Sequence, residues 1–344
     1  MKITTLGIDL AKDVFQLHGV DERGHVVLKR QIRRKEMIDF FTKIKPCLVG
    51  MEACGGAHYW ARRLTGLGHT VKLMAPQFVK PYVKTNKHDM ADAEAICEAV
   101  RRPNMRFVPI KTVDQQAILA IHRVRQGLVK ARTAQANQIR GLLAEMGLVI
   151  PKGIKHLFCQ VPLLIDEAND VLPGSFRQLI ERLLSQLKEL TRQVDELELE
   201  IVRWHRQNEA SRNLETIPGV GPITASALVA SVGDARNFKN GRQLAAWLGL
   251  VPKQHSTGGK ARLQGISKRG DCYLRTLLIH GARAVARQAE RMPARHAWLA
   301  RLMGRRNKNV AAVALANKNA RIAWALLARE EKFRSDHAAM IRPA

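Results

Sequence analysis

Residues 3–9 read ITTLGID and residues 47–52 read CLVGME. Both are apolar runs that end on an acid, Asp9 in the first and Glu52 in the second. Such runs, bounded by polar residues, predict buried strands. Outward from them, residues 14–20 (VFQLHGV) and 26–32 (VVLKRQI) read as the arms of a hairpin, with Gly24 in the turn Asp21–His25. Glu36 to Lys45 and His58–Gly66 read as helices, and Thr70–Met74 as a further strand. Strands alternating with helices predict an α/β domain.

Beyond Lys87 the pattern becomes helical, over Asp89 to Arg101 and Asp114 to Glu145. Pro151 to Pro173 reads as a less regular connection. Leu183, Leu187, Leu190, Val194, Leu197, Ile201 and Trp204 then fall at steps of four and three. That spacing predicts a coiled-coil seam, within one chain or between subunits, or a plain helix hairpin. From Tyr273 onward the chain reads as helix rich in alanine and arginine. The expected domains are 1–112 (α/β), 113–207 (helical, with the coiled coil) and 208–344 (basic and mainly helical).

The chain has 344 residues, 46% of them hydrophobic, enough for sizeable cores. Its 57 lysines and arginines against 30 acids give a net charge of +27. Residues 238–344 hold 22 of those cations and 5 of the acids. A surplus of this size calls for a polyanion, so nucleic acid is the expected partner and the last third its expected surface. The five cysteines are scattered without zinc-ligand spacing, which fits a reduced, cytoplasmic protein. There is no signal-peptide pattern and no long uninterrupted apolar run, so no membrane partner is expected.

Four acids are candidate metal ligands. Asp9 and Glu52 end strands, and Asp89 and Asp92 lie three apart in KHDMADAEAI, on one face of a helix. Hard oxygen ligands gathered in this way suit Mg²⁺ and phosphoryl transfer. An acid near a helix start also serves as a cap, and that reading stays open. Residues 217–230, IPGVGPITASALVA, resemble a helix-hairpin-helix, in which backbone N–H groups hold a DNA phosphate; a tight turn between packed helices is the alternative. Residues 251–275, VPKQHSTGGKARLQGISKRGDCYLR, read as an exposed, flexible, cationic loop entering a helix. Ser256, Thr257 and Ser267 lie there among Lys253, Lys260, Arg262, Lys268 and Arg269. A hydroxyl in such surroundings can attack a phosphodiester, or can simply bind phosphate.

Taken together, GID, the strand-end ME, the DxxDA helix, IPGVGPITA and HSTGGKARLQGISKRGDCYLR resemble the bridge-RNA-guided DEDD transposases of bacterial insertion sequences. The resemblance covers about residues 3–330. It implies a ribonuclease-H-like, RuvC-like N-terminal domain in which Asp9, Glu52, Asp89 and Asp92 are catalytic and bind Mg²⁺. It further implies a C-terminal transposase domain with a catalytic serine, here Ser256, although Thr257 directly precedes the glycines. The partners implied are donor and target DNA, a non-coding guide RNA, and further copies of the chain in a dimer or tetramer. A junction resolvase using only the acids and water, or a non-catalytic nucleic-acid-binding protein, are the competing readings.

Overall fold

The computed structural model describes residues 2–84, 88–167, 172–294 and 296–333. Part of the basic segment, residues 334–344, therefore lies outside the described residues, as does part of the connection Pro151 to Pro173. The chain divides into two compact units, one of residues 1–113 and one from Asp114 onward.

The first unit is built on a six-stranded sheet. Its strands are β1 (Thr5–Leu10), β2 (Val14–Val20), β3 (Val26–Arg33), β4 (Leu48–Glu52), β5 (Thr70–Met74) and β6 (Phe107–Val108), in the order β3-β2-β1-β4-β5-β6. β1, β4 and β5 run parallel, while β2, β3 and β6 pair antiparallel with their neighbours. This mixed sheet with its helices is consistent with a ribonuclease-H-like domain. The two-residue β6 has no counterpart in the sequence reading; it is too short to show a period.

Alternation sorts the side chains. Leu6, Ile8, Val49 and Met51 point to one face, where they form a core with α1 (Met37–Lys43) and α2 (Ala57–Gly66). The short α3 (Pro76–Val79) follows β5, and α4 (Asp89–Val100) covers the other face. There Gly7 and Gly50 let the helix come close. A Cβ on Gly7 would lie 2.3 Å from the Ala93 carbonyl oxygen, and one on Gly50 would lie 2.8 Å from Val100 Cβ.

The second unit is helical: α5 (Val113–Glu145), α6 (Ile154–Glu167), α7 (Gly174–Gln207), α8 (Glu209–Glu215), α9 (Pro222–Val232), α10 (Gly241–Trp247), α11 (Cys272–Arg291), α12 (Ala297–Met303) and α13 (Lys308–Arg329). A two-stranded hairpin, β7 (Pro252–Gln254) and β8 (Leu263–Ile266), stands between α10 and α11. The connection expected to be irregular contains α6, which continues through Pro162 because Leu157, Val161 and Ile165 are buried along one stripe. The spacing at Leu183–Trp204 finds its partner within the chain. Ile139 and Leu143 of α5 share a core with Ile180, Leu184 and Leu187 of α7, Gln135 donates to the Leu183 carbonyl at 3.3 Å, and Arg125 pairs with Glu198. These pairings make α5 and α7 antiparallel neighbours. Leu187, Val194 and Ile201 are buried, while Leu183, Leu190, Leu197 and Trp204 are half-buried.

The C-terminal core gathers Leu214, Ile217, Leu228, Leu244, Leu278 and Ala316, among others. Among the described residues, no helix is long and apolar enough to cross a membrane.

Candidate functional site

Asp9 is two residues beyond Gly7 on β1, so it faces α4 as Gly7 does. Glu52 is likewise two beyond Gly50 on β4, and faces the same way. Gly-x-Asp and Gly-x-Glu thus repeat one device on neighbouring parallel strands. The glycine admits the helix, and the next residue on that face is the acid. This signal was present in GID and GME, where only the acid drew attention.

Asp89 and Asp92 sit in the first turn of α4. Its N-cap is His88, whose Nδ1 accepts from the Ala91 N–H at 3.1 Å, so the capping alternative for Asp89 falls to its neighbour. Asp9, Asp89 and Asp92 can each present one carboxylate oxygen within 4.8 Å of the others. Asp9 and Asp92 are half-buried, and Asp89 is exposed. Three of the four expected acids therefore converge. Glu52 lies at the adjacent strand end without joining that group. Its field still reaches the neighbourhood of Asp9: partial burial, then the charges of Glu52 and Asp9, push the Cys54 thiol up. Closely spaced carboxylates repel one another, and a hard divalent cation is the natural partner for such oxygens. The donor set fits Mg²⁺ or a similar ion.

The glycine-serine segment is folded differently from the loop expected of it. Thr257 to Lys260 close a tight turn, with the Lys260 N–H donating to the Thr257 carbonyl at 3.1 Å. Gly258 and Gly259 take φ of 56° and 75°, left-handed values that glycine adopts without strain. The segment is thus a β-hairpin with an exposed tip. Ser256 stands beside that turn, its oxygen accepting from Gln254 Nε2 at 2.9 Å and from the Arg262 N–H at 3.4 Å. Lys253, Lys260 and Arg262 are exposed around it.

The base of the hairpin is held more firmly. Arg275, 8% exposed, donates to the carbonyls of Leu248 and Arg269 at 3.1 and 3.3 Å. A Cβ on Gly270 would lie 1.8 Å from the Trp247 carbonyl oxygen, so only glycine fits. Asp271 caps α11 by accepting from the Leu274 N–H. The sequence reading passed over Arg275, since a buried arginine and an exposed one look alike in a basic stretch.

IPGVG is a turn from α8 into α9. Gly219 takes φ of 86°, and a Cβ on Gly281 of α11 would lie 1.7 Å from its carbonyl oxygen. Asn319 of α13 donates to the Pro218 carbonyl at 2.8 Å. One side of the turn is therefore packed against α11 and α13, while Gly221, at the start of α9, is exposed.

Comparison with known proteins finds two family models, one over each part of the chain. A model of DEDD transposases of the IS110 type, described as a transposase, matches residues 6–147. A second, the transposase IS116/IS110/IS902 family, matches residues 211–297. The chain is 55% identical over 336 residues to the probable family 20 transposase of Pseudomonas aeruginosa, covering 97% of this chain and 99% of that one. It is 46% identical over 333 residues to the transposase for insertion sequence element IS1111A of Coxiella burnetii, covering 96% and 92%. It is 45% identical over 325 residues to the transposase for insertion sequence element IS1328 of Yersinia enterocolitica, covering 94% and 96%. Likeness of this degree along the length of the chain makes the protein an enzyme of DNA transposition, and it belongs to the IS110/IS116/IS902 family of insertion-sequence transposases.

Proposed function

We propose that the protein cuts and rejoins DNA with two sets of groups: Asp9, Glu52, Asp89 and Asp92, which would hold Mg²⁺, and Ser256, which would act as the nucleophile. The observation that carries this reading is the meeting of Asp9, Asp89 and Asp92 at the end of β1, in a chain that also exposes Ser256 on a cationic hairpin. Mg²⁺, when bound, would supply positive charge at the scissile phosphate. Ser256 Oγ would attack phosphorus. One O–P bond forms to the serine, one P–O bond of the strand breaks, and the departing strand end takes a proton. The hydroxyl proton needs an acceptor, and a carboxylate of the acidic cluster suits that role. Lys253, Lys260 and Arg262 would offset the charge gathering on the phosphate oxygens.

The exposed side of the IPGVG turn would receive a DNA phosphate in the manner of a helix-hairpin-helix. The net charge of +27 leaves surface for a guide RNA as well, whose base pairing would choose the site while the protein reads backbone and shape. The resemblance to guided transposases supports this, and it also supports a dimer or tetramer in which the acids of one subunit serve the serine of another. A reduced cytoplasmic location close to the nucleoid accords with such partners.

The test is a strand-cleavage assay with detection of a covalent protein–DNA adduct. Ser256→Ala should bind DNA yet form no adduct, Thr257→Ala should form some, and Asp9→Ala should neither cut nor join. If Asp9→Ala alone loses activity, the protein is a water-using nuclease of resolvase type. If Thr257→Ala and not Ser256→Ala abolishes the adduct, the threonine is the nucleophile. A wild-type chain without activity would make it a binding protein only.

A further inference from the structure

We propose that the solvent face of α5 is a docking surface for the sugar-phosphate backbone of duplex DNA, independent of the hairpin and of the IPGVG turn. Between Gln115 and Ala144 the helix contains no acid, and Asp114 and Glu145 stand only at its ends. Its inner face is occupied: Ile118 meets Ile201 and Ala230, and Arg125 pairs with Glu198. The outer face is open. Arg123, Gln126, Gly127, Lys130, Thr133 and Asn137 line a shallow groove of about 750 Å³ along it. Arg123, Lys130 and Asn137 recur every seven residues, and at 1.5 Å per residue each step spans about 10 Å. Phosphates on one strand advance about 3.4 Å along the axis per nucleotide, so the two cations match phosphates about three steps apart. Asn137 Oδ1 accepts from Arg140 at 3.3 Å, which leaves its amide N–H groups as donors toward a phosphate.

The floor of the groove suits a backbone. Gly127 has nothing within 4 Å of where a Cβ would stand, so a strand can approach the helix closely there. No aromatic side chain lines the groove, and binding of single strands relies on stacking against such rings. A second copy of the chain would want large apolar side chains to bury, and valine is the largest apolar residue here. The charge is of one sign, as a polyanion requires. DNA is the substrate of the family to which the chain belongs.

The test measures binding of the full chain to a mixed-sequence duplex DNA, an equal duplex RNA and a single strand across a range of NaCl concentrations. R123Q/K130Q removes two cations from an exposed helix face. It should weaken duplex DNA binding roughly tenfold at low salt and make the slope of log affinity against log salt shallower by about 2. G127L fills open space, so the variant should fold with an unchanged or higher thermal midpoint, and it should weaken DNA binding with little change in slope. Unchanged DNA affinity in both variants overturns the proposal. So does a loss confined to duplex RNA or to the single strand. A drop in solution mass with intact DNA binding would assign the face to a second copy and also overturn it.

Discussion

His122 and Tyr273, 151 residues apart in sequence, share a 3.0 Å hydrogen bond in the interior of the helical unit. The bond belongs to a relay with one direction. Ser226 Oγ donates to the Pro222 carbonyl at 2.7 Å, so it can only accept from His122 Nε2 at 3.0 Å. His122 then carries its proton on Nε2, and Nδ1 accepts from the Tyr273 hydroxyl. Tyr273 in turn is hydrogen-bonded to Arg125. The relay ties α5 to α9, just after IPGVG, and to the first turn of α11, just after the serine hairpin.

A neutral His122 gives this relay a pH dependence. Burial first, then the Arg125 cation, lower His122 to about 4. A folded-state value below the unfolded one, about 6.5, means that the unfolded chain binds the proton more readily. The contribution is therefore complete above about pH 6.5 and is lost as pH falls from there toward 4. Its size is about 3 kcal/mol. Urea unfolding of wild type and His122→Gln at several pH values should show a step in that window in wild type alone. Equal slopes for the two proteins would refute this account.

Gly7→Ala tests the packing that gathers the acids. The added methyl would fall 2.3 Å from the Ala93 carbonyl oxygen and 2.5 Å from the Cys97 nitrogen, both of them backbone atoms. α4 must shift away from β1, at a cost of about 1–3 kcal/mol. Asp89 and Asp92 would move with it. The variant should remain folded by circular dichroism while its strand cleavage falls at least as far as that of Asp89→Asn.

The acidic cluster should respond strongly to divalent ions in wild type and weakly once one of its acids is removed. Without metal, Asp92→Asn removes one of three mutually repelling charges and should raise the thermal midpoint. With Mg²⁺ at a hundred times its dissociation constant, wild type should gain about 2.7 kcal/mol and the variant much less. Chelation should abolish strand cleavage in wild type. A midpoint that ignores Mg²⁺ would mean that these carboxylates hold no ion in the free chain.

Gly281→Ala should be among the most damaging single methyl additions in the helical unit. The new carbon would lie 1.7 Å from the Gly219 carbonyl oxygen, in a turn already anchored by Asn319. Overpacking against backbone costs about 1–3 kcal/mol or more. The IPGVG turn would be displaced from α11, and DNA binding should fall together with stability. Gly141→Ala, on a helix surface with nothing within 4 Å, is the control and should be neutral or stabilising.

Much of the architecture was legible in the chain itself. The runs ending at Asp9 and Glu52 marked buried strands, because a strand covered on both faces must be apolar throughout. The spacing of Asp89 and Asp92 placed both on one helix face, because the helical period is local. The stripe from Leu183 to Trp204 announced a long paired helix, and the charge surplus announced a polyanion.

What the sequence left undecided depended on partners distant along the chain. That Asp9 meets Asp89 and Asp92 while Glu52 stands beside them follows from the order of the strands and from how close α4 can lie over Gly7 and Gly50. The stripe on α7 could not name α5 as its partner, because many apolar faces would serve. α6 persists through Pro162 because Leu157, Val161 and Ile165 find a core. HSTGGK became a hairpin rather than a loop because residues near Pro252 and Ile266 pair across it. His122 looked like any histidine on a basic helix; only the fold brings Ser226 and Tyr273 to its two nitrogens. Local periods and composition are properties of short segments, whereas convergence, burial and pairing depend on which segments the whole chain packs together.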